Sequence, residues 1–202
     1  NISERKLIYF PYAYSKNILS ATKKISTENK LNIMIFSRFE TRKGHKTLVS
    51  ALEKCSIKVL KNCHFIFGGD GHLKNKIESK LKNINNLSFE MLGWVDHNSY
   101  NQHLSNCDVL IHPSHFEPFG IPIIDALNSG LIIISSDQVM SAYDFIIDGH
   151  NGFIYESNNS NQLANNIEFI VSNKNQLEKI SNNSLSTVPK FEYYVNNLYK
   201  LL

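Results

Sequence analysis

Short apolar runs take turns with helix-patterned segments from Leu31 to Tyr155, and few architectures accept such an alternation. Leu31–Phe36 reads as a buried strand and His45–Lys54 as the helix after it, with Leu48, Val49 and Leu52 on one face. The pattern repeats: strand His64–Phe67, helix Leu73–Leu81, strand Leu87–Leu92, helix Ser99–Asn106, strand Val109–His112, helix Ile121–Asn128, strand Leu131–Ile134. Phe153–Tyr155 reads as a last edge strand, and Gln162–Val171, Asn175–Ser181 and Pro189–Leu202 as helices, Pro189 suiting a first helical turn. The earlier run Leu7–Phe10 stops at Pro11, and Tyr14–Lys24 fits either a helix or an irregular segment. Strands alternating with helices bury their apolar faces when helices cover a parallel sheet through right-handed crossovers. The expected fold class is therefore α/β with a doubly wound parallel sheet. Ligands bind such sheets beyond the C-terminal ends of the strands, so the signals that matter are the loops there.

Composition narrows the function classes. A length of 202 residues suits one domain or one domain with a short appendage. The division expected is a leading segment over residues 1–30, a sheet domain over 31–188 and a C-terminal helix over 189–202. With 42% hydrophobic and 19% charged residues, a disordered or fibrous chain is excluded. The net charge of +3, without a basic stripe, argues against a nucleic-acid partner. Cys55, Cys63 and Cys107 have no CxxC spacing, which speaks against a zinc knuckle or a disulfide framework and for a reduced, cytoplasmic setting. No run approaches membrane-spanning length, NISERKLIYF does not read as a leader, and the start at Asn1 suggests a fragment or a processed chain.

Three constellations fall where ligands are expected. Ser37–His45 follows the first strand and carries Arg38, Arg42 and Lys43, with Gly44 for a close approach. Guanidinium forks and a compact ammonium suit a diphosphate, whereas the bland reading is a solvated basic turn partly neutralised by Glu40. Gly68–Gly71 permits a sharp turn and close backbone contact, but it is neither GxGxxG nor a Walker loop. His112–Gly130 is the most informative: a strand end, a loop with Glu117, then Phe119-Gly120 leading into an amphipathic helix whose first N–H groups suit phosphate oxygens. Asp125, beside Ile124 and Ala126 on that helix, asks for a partner: a ribose edge, or a nearby backbone group or cation. His97, His112 and His115 lie near the cleft without HExxH spacing, so hydrogen bonding or structure is expected of them and no metal.

In order along the chain, Ser37-Arg38…Lys43-Gly44, Gly68–Gly71, Gly93-Trp94-Val95, Asp108 before a strand with Pro113-Ser114 after it, Glu117…Asp125 with Phe119-Gly120, and Asp148-Gly149…Asn151-Gly152 resemble one family. It is the C-terminal donor-binding domain of GT-B fold retaining glycosyltransferases, glycosyltransferase family 4. The resemblance runs from about Leu31 to the end, with Phe191–Tyr199 as the final helix. It implies a Rossmann-like sheet forming the C-terminal half of a GT-B architecture. It further implies that Arg38 and Lys43 bind the donor diphosphate and stabilise its departure. Glu117 would contact the transferred sugar, and Phe119, Gly120 and Ile121 would lie near sugar or phosphate. Gly69, Val95 and Asp96 would line the nucleoside pocket, with Val95–Asn98 as the loop touching the base, and Asp125 would meet the ribose. The implied donor is a UDP- or GDP-sugar with no tightly bound cofactor. The implied acceptor is a glycan or lipid-linked molecule in bacterial surface polysaccharide synthesis.

The chain departs from that pattern in three places. Asp125 stands where a glutamate is usual, so its ribose contact is direct but shifted, or water-mediated. Ser37 replaces a glycine, and Ser135–Phe145 replaces a Gly-Gly turn. Length leaves no room for a second domain, so the acceptor half is expected either to be missing or to come from a partner chain. That half would also govern any peripheral membrane association. A non-catalytic nucleotide-binding module and a sugar-nucleotide epimerase are the alternative readings.

Overall fold

A computed structural model describes residue 25 and residues 30–187. The expected helix Pro189–Leu202 and most of the leading segment, including Leu7–Phe10 and Tyr14–Lys24, lie outside the described residues. Six strands, β1 Leu31–Phe36, β2 Cys63–Gly68, β3 Phe89–Gly93, β4 Val109–His112, β5 Ile132–Ser136 and β6 Gly152–Tyr155, form one sheet in the order β3-β2-β1-β4-β5-β6. Every pairing is parallel. This is the doubly wound, Rossmann-like sheet that the alternation predicts, and Phe153–Tyr155 does fall on an edge strand.

Strand periodicity explains the two faces. Leu31, Ile33 and Ile35 enter one core, while Met34 and Phe36 enter the other. Ile132 and Ile134 against Ile133 divide in the same way, as successive side chains on a strand must. The first core is covered by α1 His45–Leu52, α2 Ile57–Lys61, α3 Lys74–Lys82, α7 Ser160–Ser172 and α8 Lys174–Thr187. The second lies under α4 His97–Asn106, α5 Ile121–Asn128 and α6 Met140–Phe145. Several strands carry apolar residues on both faces because helices cover both.

Two helices are absent from the sequence expectation, and α8 runs to Thr187, six residues past the expected Ser181. Ile57–Lys61 forms a helix that the periodicity does not announce, because five residues complete little more than one turn. Ser56 starts it by accepting the Val59 N–H at 3.3 Å. Met140–Phe145 forms the other, inside the segment expected only to replace a tight turn. The expected loop Val95–Asn98 is also shorter than its sequence suggests. Asp96 caps α4 by accepting from the N–H groups of Asn98 at 2.9 Å and Ser99 at 3.1 Å, so the helix begins at His97, two residues early.

Strand order reverses between β1 and β4, which pair through Ile33↔Val109 and Met34↔Leu110. Chain connections leave in opposite directions from this point, so the loops after β1 and β4 open a crevice. Asp108 secures its far end by accepting the Asn32 N–H at 2.9 Å.

Candidate functional site

Gly44 brings the loops after β1 and β4 together. It has φ +70°, and a Cβ there would stand 1.7 Å from the Pro113 carbonyl oxygen. A left-handed residue without a side chain lets the backbones touch. The His115 N–H, donating to the Arg42 carbonyl at 2.7 Å, ties the same two loops. The His115 ring adds contacts to Thr47 Oγ1 at 3.3 Å and Ser157 Oγ at 3.0 Å, a structural placement beside the cleft.

That approach puts Lys43 against Glu117. The Lys43 side chain is almost buried, and its ammonium donates directly to Glu117 Oε2. His112, buried at the end of β4, places Nε2 3.8 Å from the same oxygen and 3.4 Å from Ser114 Oγ. The His112 imidazole and the Lys43 ammonium hold the Glu117 carboxyl down at about 2, against desolvation that pushes it up. Of these two partners Lys43 is in direct contact, so the ion pair dominates. Burial in turn keeps His112 below its ordinary value, hence neutral near pH 7. Arg38 lies at the mouth with its side chain 76% exposed, 3.5 Å from Glu40, which also holds Arg42 at 3.1 Å. The partial neutralisation by Glu40 foreseen in the sequence is thus present, but it falls on the arginines and leaves Lys43 to Glu117.

Two cavities share Phe36 and Ser37 as a common wall. The larger, about 430 Å³, is lined by Arg38, Arg42, Lys43, His112, Glu117, Phe119, Gly120, Ile121 and Pro122. The first turn of α5 faces it without a side-chain cap, so the positive end of the helix dipole adds to the basic groups. Hydrogen bonds from the segment after β5 hold the Glu117 loop: Glu117 N–H to the Gln138 carbonyl at 3.0 Å, Met140 N–H to the Glu117 carbonyl at 3.2 Å and Ser141 Oγ to the Gly120 carbonyl at 3.1 Å. The polar groups of Ser135–Phe145 thus brace the site from behind.

The smaller cavity, about 310 Å³, is lined by Phe36, Gly68, Gly69, Trp94, Val95, His97 and Tyr100. The glycine turn shapes it. Gly69 N–H donates to the Gly93 carbonyl at 2.6 Å, and a Cβ on Gly69 would meet the Ser37 carbonyl at 2.1 Å. Asp70 carries the turn back to the β1 loop through its carbonyl, which accepts the Phe39 N–H at 2.9 Å.

Of the residues singled out in the sequence, Arg38, Lys43, Glu117, Phe119, Gly120 and Ile121 meet in the larger cavity, and Gly69 and Val95 line the smaller. Asp96 and Asp125 line neither. Asp96 spends its carboxylate on the start of α4, Ser99 Oγ included, at 2.6 Å. Asp125 is buried on α5 and accepts a hydrogen bond from the Tyr100 hydroxyl at 3.0 Å. Among the described residues no three His, Cys, Asp or Glu side chains gather as a metal site, and no helix is long and apolar enough to cross a membrane.

Two residues of the site escape sequence reasoning. Tyr100 is one; its pairing with Asp125 spans 25 positions and two helices. The other is His45, which reads as an ordinary first helical residue. Its Nε2 lies 3.1 Å from both Ser37 Oγ and the Arg38 carbonyl, and its ring stacks on Phe39 at 4.3 Å. Only a protonated Nε2 can bond a carbonyl, so Nδ1 is the unprotonated nitrogen, buried without a partner among the described residues. Burial pushes this imidazole down to about 4.

The family model described as "Glycosyl transferases group 1" matches residues 19–187. Among curated relatives, the 2-deoxystreptamine N-acetyl-D-glucosaminyltransferase of Niallia circulans is 27% identical over 137 residues, covering 67% of this chain and 34% of that protein. The chain spans about a third of the length of the curated relatives it matches. Among solved structures, Anabaena HepE in complex with UDP and glucose superposes with TM-score 0.68 at 23% identity, covering 79% of this chain and 44% of HepE. The C-terminal domain of a glycosyl transferase group 1 family protein from Francisella tularensis superposes with TM-score 0.68 at 24% identity, covering 79% of this chain and 84% of that domain. At such identities the likeness establishes the fold, that of the C-terminal half of the GT-B architecture.

Proposed function

The chain belongs to the glycosyl transferases group 1 family, and from that premise we propose that it is the donor-binding half of a retaining glycosyltransferase using a UDP- or GDP-sugar. The observation that carries this reading is the larger cavity: Lys43, Arg38 and the N-terminal end of α5 converge on a space sized for a sugar diphosphate. The sugar lies toward Glu117 and the Phe119-Gly120 backbone, and the nucleoside in the smaller cavity beyond Phe36 and Ser37. HepE, which was crystallised with UDP and glucose, supports a nucleotide-sugar donor.

In the reaction proposed, the bond between the anomeric carbon and the β-phosphate oxygen breaks, and the electron pair leaves with the nucleoside diphosphate. An acceptor hydroxyl oxygen bonds the anomeric carbon on the same face and passes its proton to the departing phosphate oxygen. Negative charge grows on that phosphate, so fixed cations stabilise the transition state more than the ground state. Arg38 and Lys43 perform this task. Lys43 changes partner to do so, from Glu117 to the diphosphate, and the freed Glu117 carboxylate turns to sugar hydroxyls. A second domain supplies the acceptor, a glycan or lipid-linked molecule, and shuts out water. The isolated chain is therefore expected to bind nucleotide but transfer poorly.

Calorimetric titration with UDP, GDP, ADP and CMP, repeated on Arg38→Ala and Lys43→Ala, tests the proposal. Saturable binding of one nucleoside diphosphate, weakened in both variants, is the expected outcome. A folded chain that binds none of the four, alone or joined to its upstream domain, would overturn it.

A further inference from the structure

Asp125 is expected from the sequence to meet the ribose, yet the structure interposes another residue. Asp125 is 6% exposed and lines neither cavity, whereas Tyr100 lines the smaller one and donates its hydroxyl hydrogen to Asp125 Oδ2 at 3.0 Å. The Tyr100 ring is held by Phe36, the wall shared by both cavities, with ring centroids 5.6 Å apart at 52°. Phe36 is itself wedged against His103, three residues along α4, at 5.4 Å. A tyrosine packed on one side and hydrogen-bonded at its tip has little rotamer freedom left, so its oxygen is held at a fixed point beside Asp125, on a residue that lines the cavity.

We propose that Tyr100, aimed and polarised by Asp125, is the residue that recognises the ribose of the nucleotide; this rests on the nucleotide-sugar reading above. The chemistry follows from the direction of the hydrogen bond. A phenol has one hydrogen and two lone pairs, and a phenol whose hydrogen goes to a carboxylate acts toward a ligand as an acceptor. The carboxylate draws the hydroxyl hydrogen toward itself, which enriches the phenol oxygen and strengthens that acceptor. The complementary group is a donor, and a ribose hydroxyl next to a base seated against Trp94 and Val95 is one. The pair also accounts for Asp125: a buried carboxylate is costly unless hydrogen-bonded, and Tyr100 both satisfies it and carries its influence to the cavity. Tyr100 is thus the binding residue and Asp125 its positioning residue.

The test is calorimetric titration of the chain with UDP, 2′-deoxy-UDP and 3′-deoxy-UDP, with the guanosine series in parallel. The natural chain should favour the ribonucleotide roughly tenfold over at least one deoxy analogue, the worth of a well-formed hydrogen bond. Tyr100→Phe should bind the ribonucleotide about as weakly as the natural chain binds that analogue, and should no longer discriminate. Thermal unfolding is read first. Should Asp125 left without its hydroxyl partner prevent folding, Tyr100→Phe with Asp125→Asn removes the buried charge and carries the same expectation. Saturable binding with discrimination undiminished in either variant would overturn the Tyr100 assignment alone. Failure of the folded natural chain, alone and joined to its upstream domain, to bind any of these nucleotides would overturn it together with the nucleotide-sugar reading.

Discussion

The two cavities differ in what they hold when empty of ligand. The larger has its cations already engaged, with Lys43 spent on Glu117 and the two arginines sharing Glu40. The smaller is mostly apolar, walled by Phe36, Trp94 and Val95, and the Tyr100 hydroxyl on its lining is already hydrogen-bonded to Asp125. On the proposed function, a nucleoside entering the second breaks no ion pair. A diphosphate entering the first must exchange one ionic partner for another. On the same proposal, nucleoside recognition is prebuilt, whereas phosphate recognition is conditional on a cation changing sides, which ties binding to the release of Glu117 toward the sugar.

The comparison breaks most severely at Gly44, which holds both loops in place. Gly44→Ala combines φ +70° with a Cβ inside contact distance of the Pro113 carbonyl, and should cost about 3 kcal/mol or more of stability. Thermal unfolding reads that loss, and nucleotide binding should fall with it. A more selective break is Lys43→Ala. It should weaken UDP about 100-fold, the scale of a lost charge-assisted contact, while leaving uridine binding unchanged. Arg38→Ala, exposed at the mouth, should weaken UDP by about tenfold without moving the unfolding midpoint. The same titrations with UDP and uridine check both.

The apolar side is sharpened by Trp94→Ala. The indole is 79% exposed at the cavity wall, and its loss should weaken UDP and uridine equally, by about fivefold. Trp94 is the single tryptophan of the chain, so quenching of its fluorescence reports nucleoside binding in the natural protein.

A smaller effect separates the β1 loop from its surroundings by pH. Burial lowers the His45 imidazole from 6.5 to about 4. As pH falls the unfolded chain takes up this proton near 6.5, the folded chain only near 4, so stability is lost across that window. Denaturant unfolding should show the decline, and His45→Gln should flatten it. The Glu117 carboxyl, lowered from 4.5 to about 2, acts at more acid pH: its contribution is present above 4.5 and is lost as pH falls through about 2.

The sheet is legible in the sequence because most of its strands are buried on both faces, β3 being the half-buried exception. Leu31–Phe36 and Ile121–Asn128 appear in the structure with the bounds that their patterns predict. Ile57–Lys61 and Met140–Phe145 are not legible, since a helix of five or six residues shows no period. The larger cavity is likewise readable, because Arg38, Lys43, Glu117 and Gly120 each sit in a loop directly after a strand. What cannot be read is which partner a side chain finds across the sheet. Lys43 reads as a cation for a diphosphate and is paired with Glu117, 74 positions away. Asp125 reads as a ribose ligand and is covered by Tyr100. His45 looks like a helix start, yet it holds the Arg38 carbonyl.

The exchange of partners at Lys43 is tested most directly by the affinity of Glu117→Gln for UDP, which carries no sugar for Glu117 to touch. Removing the carboxylate charge frees Lys43 in advance, so UDP should bind about fivefold tighter than to the natural chain. Unchanged or weaker binding by the folded variant would contradict the account, because Lys43 would then not be held from the diphosphate by Glu117.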